Sequence, residues 1–302
     1  MKNVRIGTRG SALALWQANH VRGLIESLGN TTELVIIKTQ GDRIDDIPFS
    51  KMSGKGFFTK ELEDAQLDGR VDLAVHSMKD MTTEAVGGLV IGAMIGREDP
   101  RDLLLARPDA LEDGRGLPLR HGTRVGTSSA RRQAQALHLN PGITLADLRG
   151  NVPTRVQKLR DGHYDAILIA AAGIARLGLD LEGLAARPLD PERFVPAPAH
   201  GRLALQCRDE PWLRELLGQM HMADAARPVL AERWLLERLD GGCQLPFGCH
   251  VRPVASGFAL DLFLQGRESE GSPKPPLALH LEGPDPMALA HAAWESVRAY
   301  RG

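Results

Sequence analysis

Two side chains in this sequence have the clearest capacity for covalent or acid-base chemistry, Asp80 and Cys243, and a set of arginines is spaced along the polar segments around them. Asp80 closes the run VDLAVHSMKD, residues 71–80, so it falls on the C-terminal side of an expected strand. Open α/β sheets present ligands to their loops at that end, and a carboxylate there can stabilise a developing cation or exchange a proton. Lys79 beside it can meet a substrate carboxylate or form an ordinary loop ion pair. His76 reads more simply as a structural hydrogen-bonding group. Cys243 follows Gly241 and Gly242, which permit a crowded loop that exposes a sulfur for covalent attachment; a buried, inert thiol is the other reading. Cys207 and Cys249 fit the buried role.

The arginines suggest anion binding. Arg9 and Ser11 follow the first expected strand, and Thr127, Ser128 and Ser129 follow a later one, where hydroxyls sit beside the free amides of a helix start. Arg131 and Arg132 extend that second seat, and Arg149, Arg155 and Arg176 lie near other strand-to-helix transitions. Guanidinium forks bind carboxylates bidentately, so a cleft gathering them would hold a polycarboxylate; a solvated charged surface is the alternative. The segment GDRIDDIPFSKMSGKGFF, residues 41–58, reads as a lid or a passive loop and lacks the Walker A pattern. No HExxH occurs, Cys243-x5-Cys249 is weak evidence for zinc, and no metal site is expected. No serine-histidine-aspartate pattern supports a hydrolase.

The elements that must position these residues alternate. Val4 to Thr8, Leu34 to Lys38 and Val71 to Val75 read as strands, with helices through Leu13 to Leu28 and Phe58 to Leu67; this is βαβ grammar and favours a mostly parallel sheet. The grammar repeats after Arg101, with strands at Leu103 to Ala106, Arg124 to Gly126 and Ala166 to Ala170 and helices at Ala130 to Leu137 and Val152 to Leu159. The proline-rich segment at 191–201 precedes another apolar run, which suggests a return crossing or hinge. Beyond it, Ala225 to Leu239 is helical despite Pro228. A hairpin is expected about Ser256-Gly257, then a strand at Leu277 to Leu281 and a helix at Met287 to Val297. The fold class is α/β, with two similar layered α/β lobes joined by a hinge and a small α+β C-terminal domain. The expected division is 1–99 plus 200–218, 100–199 and 219–302.

Composition narrows the function classes. The 302 residues carry 37 basic and 38 acidic side chains, a formal charge of -1, and 43% hydrophobic residues, which excludes a disordered chain and a globally basic nucleic-acid coat. Aromatic residues at 4% give little support for a base-stacking groove, so no nucleic-acid partner is expected. No apolar run has transmembrane length, Arg5 and Arg9 interrupt any secretory core, and a cytoplasmic location without membrane association is expected. A hinged small-anion binding protein explains Arg9, Arg149 and Arg176 almost as well as an enzyme does.

Dispersed segments narrow this further. IGTRGSALALWQA (6–18), GKGFFTKELE (54–63), VHSMKD (75–80), REDPRD (97–102), VGTSSARRQAQ (125–135), LRGNVPTRVQKL (148–159), VPAPAHG (195–201) and LDGGCQLPFG (239–248) together resemble the porphobilinogen deaminase (hydroxymethylbilane synthase) family. The resemblance implies a transferase of tetrapyrrole biosynthesis whose two lobes close around a dipyrromethane cofactor attached through Cys243. It implies addition of four porphobilinogen units to that primer, loss of ammonia at each step, and hydrolytic release of hydroxymethylbilane. By the same carry-over Asp80 is the catalytic residue. Lys79, Asp80, Thr127, Ser128, Ser129, Arg131, Arg132 and Arg155 hold the cofactor, and Arg9, Ser11, Gln17, Arg149, Arg155 and Arg176 meet porphobilinogen or the growing polypyrrole chain. A monomer is implied. Three departures stand out: His200 occupies a position where the family pattern usually has glutamine, and RLALQC replaces the commoner small-apolar-acidic continuation. The proline usual soon after the catalytic aspartate is also missing, with Thr82 nearby.

Overall fold

The computed structural model describes residues 1–39, 59–96, 98–240, 245–266 and 274–302. The chain divides into two compact units, one comprising the described residues of 1–98 and 200–226, the other those of 99–199 and 227–302.

In the first unit β1 (Asn3–Thr8), α1 (Ala12–Ser27), β2 (Thr31–Ile36), α2 (Lys60–Leu67), β3 (Leu73–Ser77) and β4 (Leu89–Ile95) precede the crossing to the second unit. There β5 (Asp102–Ala106), β6 (Arg124–Gly126), α3 (Ala130–Leu139), β7 (Thr144–Ala146), α4 (Val152–Arg160), β8 (Ala166–Ala170), α5 (Ala171–Leu177) and β9 (Ala185–Pro188) follow one another. The chain then returns to the first unit as β10 (Leu203–Arg208) and α6 (Pro211–Gly218). The helix α7 (Ala223–Arg238), strands β11 (Phe247–Val254), β12 (Gly257–Leu264) and β13 (Leu277–Gly283), and helix α8 (Pro286–Arg301) complete it.

The first sheet has the order β2-β1-β3-β10-β4 and the second β7-β6-β8-β5-β9. In each, the first three strands pair in parallel and the last two join antiparallel. Both sheets are therefore mixed: four of the five strands in each run in one direction, as a mostly parallel core requires, and one, β10 or β5, is reversed. The reason is connectivity: β10 enters the first sheet from the opposite direction after the whole second-unit excursion, and β5 opens the second sheet in the same sense. Local βαβ periodicity carries no information about a strand inserted from a hundred residues away.

The core of the first sheet explains its register. Val4 and Ile6 of β1, Leu73 and Val75 of β3, and Leu203 and Leu205 of β10 are buried with Ala18, Val21 and Ile25 of α1. Those three helix residues fall on one face because 3.6 residues make a turn. Each fully buried valine, leucine or isoleucine contributes about 1.5–3 kcal/mol relative to exposure. The small terminal sheet, β11-β12-β13, is wholly antiparallel and packs its apolar face on α7 and α8 through Leu235, Leu260, Leu262, Ala293 and Val297. Helix α7 begins at Ala223, so Pro228 lies inside it rather than in its first turn. The layered two-lobe and small-domain architecture expected from the sequence is present.

Candidate active site

At the first-unit site, β3 ends at Ser77 and the chain tightens into a 3-10 turn over Met78–Asp80. Three contacts fix this turn. The Met78 N–H donates to the Arg202 carbonyl at 2.9 Å, the Met81 N–H donates to the Met78 carbonyl at 3.2 Å, and the Met78 side chain is 1% exposed. Asp80 points to solvent from this anchored turn, and Lys79 beside it is half-buried. Lys79 Nζ lies 3.3 Å from Nε2 of the buried His200. Because β1 and β3 run parallel, with Ile6 opposite Leu73, the segment after β1 that carries Arg9 and Ser11 leaves the sheet at the same edge. Ser11 caps α1 by accepting the Ala14 N–H. Gln17, on the buried face of α1, donates to Ser77 Oγ at 3.0 Å and so fastens the helix to the end of β3.

His76 faces the interior. Its Nε2 lies 3.1 Å from Gln206 Oε1, and burial, aided by the charge on Arg9, pushes the imidazole down to about 4. It is neutral at physiological pH and holds a core hydrogen bond.

The second unit presents its groups at the end of β6. Gly126 is the last residue of that strand, and the position suits glycine because a Cβ there would stand 2.7 Å from the Tyr164 ring. The chain then passes Thr127 and Ser128 to Ser129, the N-cap of α3, whose hydroxyl makes no cap bond. Thr127 is buried and its hydroxyl accepts the Ser129 N–H at 3.3 Å; the Ser128 hydroxyl bridges the backbone of Leu148. Arg131 and Arg132 in the first turn of α3 are buried and share one carboxylate, that of Asp102 at the start of β5, at 2.6 and 2.7 Å. Arg131 also donates to the Val195 carbonyl and Arg132 to that of Leu168. Asp102 is opposite Ala170 in the ladder, so the cluster sits at the edge where β6 and β8 end. Arg155 on α4 donates Nε–H to the Gly150 carbonyl at 2.7 Å, Arg149 is half-buried before that helix, and Arg176 is buried on α5.

The predicted residues thus form two sets: Arg9, Ser11, Gln17, Lys79 and Asp80 in the first unit, and Thr127, Ser128, Ser129, Arg131, Arg132, Arg149, Arg155 and Arg176 in the second. Cys243 and the lid segment 41–58 lie outside the described residues. Cys207 and Cys249 are buried, and burial raises both thiols, Cys207 to about 11. Asp102, which pairs with Arg131 and Arg132, was not among the residues the sequence singled out although it ends the REDPRD segment. The available signal was an acid at the head of the apolar run LLLA, a position that becomes buried once the strand is internal.

Two guanidiniums and one carboxylate give the second-unit cluster a formal charge of +1, and Thr127, Ser128 and Ser129 precede its arginines in the chain. Lys79 adds an ammonium in the first unit. In each unit taken by itself, donors of this kind match carboxylate groups of a ligand. Among the described residues, no helix is long and apolar enough to cross a membrane.

Comparison with known proteins agrees with this chemistry. The sequence model described as "Porphobilinogen deaminase, dipyromethane cofactor binding domain" matches residues 4–213, and the one described as "Porphobilinogen deaminase, C-terminal domain" matches residues 226–265. The chain is 48% identical over 266 residues to a porphobilinogen deaminase of Nitratidesulfovibrio vulgaris (strain DSM 19637 / Miyazaki F), covering 86% of this chain and 82% of the relative. It is 48% identical over 255 residues to that of Syntrophobacter fumaroxidans, covering 83% and 80%. It is 43% identical over 276 residues to that of Geobacter metallireducens, covering 90% and 85%.

Proposed function

Because the chain belongs to the porphobilinogen deaminase family, we propose that Asp80 is its catalytic carboxylate and Cys243 the attachment point of its cofactor. The activity is that of a transferase of tetrapyrrole biosynthesis, which condenses four porphobilinogen units stepwise, releases ammonia at each addition and frees hydroxymethylbilane by hydrolysis. The family's dipyrromethane cofactor supplies a pyrrole primer on which the chain grows.

The observation that carries the assignment is the placement of Asp80 as a solvent-facing carboxylate on an anchored turn at the C-terminal end of a buried strand. Loss of ammonia from porphobilinogen develops positive charge next to a pyrrole nitrogen. A fixed carboxylate stabilises that charge without reorganising, and it can accept and return the pyrrole proton. Lys79, Thr127, Ser128, Ser129, Arg131, Arg132 and Arg155 are assigned to hold the cofactor's carboxylates. Arg9, Ser11, Gln17, Arg149, Arg155 and Arg176 are assigned to porphobilinogen and the lengthening chain. The inward bonds of Gln17, Thr127 and Ser128 give these three a positioning share in that work, since each already fastens a segment that carries a more exposed partner. The division at 1–99 plus 200–218, 100–199 and 219–302 follows the three separate sheets and belongs to the same reading, as do a monomeric state and a cytoplasmic location.

Intact-mass measurement tests the attachment. The purified chain should carry the mass of two linked pyrroles, and Cys243→Ser should lose it; an intact adduct on the serine variant would reject Cys243. Asp80→Ala should keep its fold, since the side chain is exposed, and lose about 10²- to 10⁴-fold in turnover. Near-normal porphobilinogen consumption by that variant would remove Asp80 from the mechanism.

A further inference from the structure

The antiparallel ladder between β3 and β10 brings an unassigned side chain to the active turn. Leu203 is opposite Ser77, and the Met78 N–H continues the ladder by donating to the Arg202 carbonyl. The 3-10 turn 78–80 and the turn that precedes β10 therefore leave the paired strands at the same end. Gly201 adopts φ +83°, a left-handed conformation that suits glycine, and His200 before it is 6% exposed. Its Nε2 stands 3.3 Å from Lys79 Nζ. An ammonium can only donate, so Nε2 must be the acceptor and the ring proton must lie on Nδ1.

From this geometry we infer that His200 is a positioning residue for Lys79, one that holds the ammonium in place beside Asp80. The role rests on the assignment of Lys79 to cofactor binding. A lysine on a four-carbon stem samples many rotamers, and ordering it costs entropy at each binding event. A buried imidazole acceptor bears that cost in advance, because the ring itself is held by its burial. The feature needed at this position is an acceptor at the right reach rather than an imidazole as such. The amide oxygen of a glutamine can supply one, whereas a leucine of similar bulk cannot.

The test uses the full chain labelled with ¹⁵N-histidine, in which the His200 ring signals are identified by their loss in His200→Gln. Long-range proton-nitrogen correlation should show the Nδ1–H tautomer in the wild type. Lys79→Met should redistribute it, since the donor that selects it is gone. In steady-state assays His200→Leu should lower kcat/KM for porphobilinogen about tenfold, the size of one hydrogen bond to a charged group, and His200→Gln should restore most of that loss. If the leucine variant does not fold, His200→Asn takes its place, because its shorter amide falls short of Nζ. An Nε2–H tautomer in the wild type, a tautomer indifferent to Lys79→Met, or a glutamine variant as impaired as leucine would each overturn the role. A wild-type chain without a pyrrole adduct would sink the functional reading instead and leave the tautomer result standing.

Discussion

Each of the two lobes builds an Arg–Asp–Arg cluster, and the two clusters differ in depth and in place. In the first unit Asp72 accepts from Arg5 at 2.8 Å and from Arg208 at 3.0 Å, with the arginine side chains 36% and 18% exposed. It precedes β3, at the end of the strand opposite Asp80. In the second unit Asp102 is fully buried, Arg131 and Arg132 are nearly so, and the cluster lies at the edge where β6 and β8 end, beside Ser128 and Ser129. The composition is the same, but one cluster fastens the far rim of a sheet and the other stands at the rim where α/β sheets meet ligands. What separates an anchoring triad from a candidate anion seat is therefore strand polarity and burial, neither of which is visible in the residue types.

The sharpest way to break this contrast is to remove each carboxylate in turn. Asp102→Ala leaves two buried guanidiniums without their shared counter-charge and should cost about 3–5 kcal/mol, read as a fall in the urea midpoint. Asp72→Ala leaves arginines that water can reach, and its cost should be smaller, about 1–2 kcal/mol. Equal losses would show that burial does not distinguish the two. Acid titration offers a second view of Asp72. Burial alone would raise its carboxyl, but the hydrogen bonds from Arg5 and Arg208 outweigh that and hold it below the usual range. Its stabilisation is thus complete above the unfolded value of 3.8 and is lost as pH falls through the lower folded value.

A milder acidification probes the neutral polar core under β3. Folded His76 titrates at about 4 against 6.5 unfolded, so between those values the unfolded chain binds more protons. Stability should fall by on the order of 3 kcal/mol as pH drops through that window, because the unfolded histidine is protonated and the folded one is not. Gln206→Glu should flatten the slope by giving His76 an opposite charge. Urea midpoints at about pH 7 and about pH 4.5 for both proteins check this. An unchanged slope in the variant would place the acid sensitivity elsewhere.

These contrasts also explain what could be read from the sequence. The strands at 124–126 and 166–170 carry the bounds expected of them, because short buried runs flanked by polar residues have few alternative readings. By contrast, β4 and β9 had no expected counterpart: Gly92 interrupts the first, and the second is a short, mostly exposed edge strand ending in Pro188. The placement of Asp80 just beyond a strand was legible, since the pattern that marks it is local. Asp102 was not, because an acid within REDPRD looks solvated until β5 is known to lie between β8 and β9. The contact between Lys79 and His200 joins residues 121 positions apart, and only the β3–β10 pairing brings them together.

The smallest effect tests whether the second unit also uses a buried carboxylate to hold a strained backbone. Glu232, 3% exposed on α7, accepts the N–H groups of Ala199 at 2.6 Å and Val251 at 2.7 Å. Here the compensation comes from the backbone rather than from arginine. Ala199 sits at φ +62°, a left-handed conformation that costs a residue with a Cβ about 1–2 kcal/mol. Ala199→Gly relieves that strain but gives up a buried methyl, about 0.8 kcal/mol, and frees the unfolded chain by about 0.4–1 kcal/mol. The terms nearly cancel, so the variant should lie within about 1 kcal/mol of wild type. Ala166→Gly in β8 makes the same deletion at a fully buried alanine without a positive φ, and it should be less stable than Ala199→Gly by about 1–2 kcal/mol. That difference in urea midpoint measures the strain directly. If the two glycine variants were equally destabilised, Ala199 would store none, and Glu232 would be holding a relaxed turn.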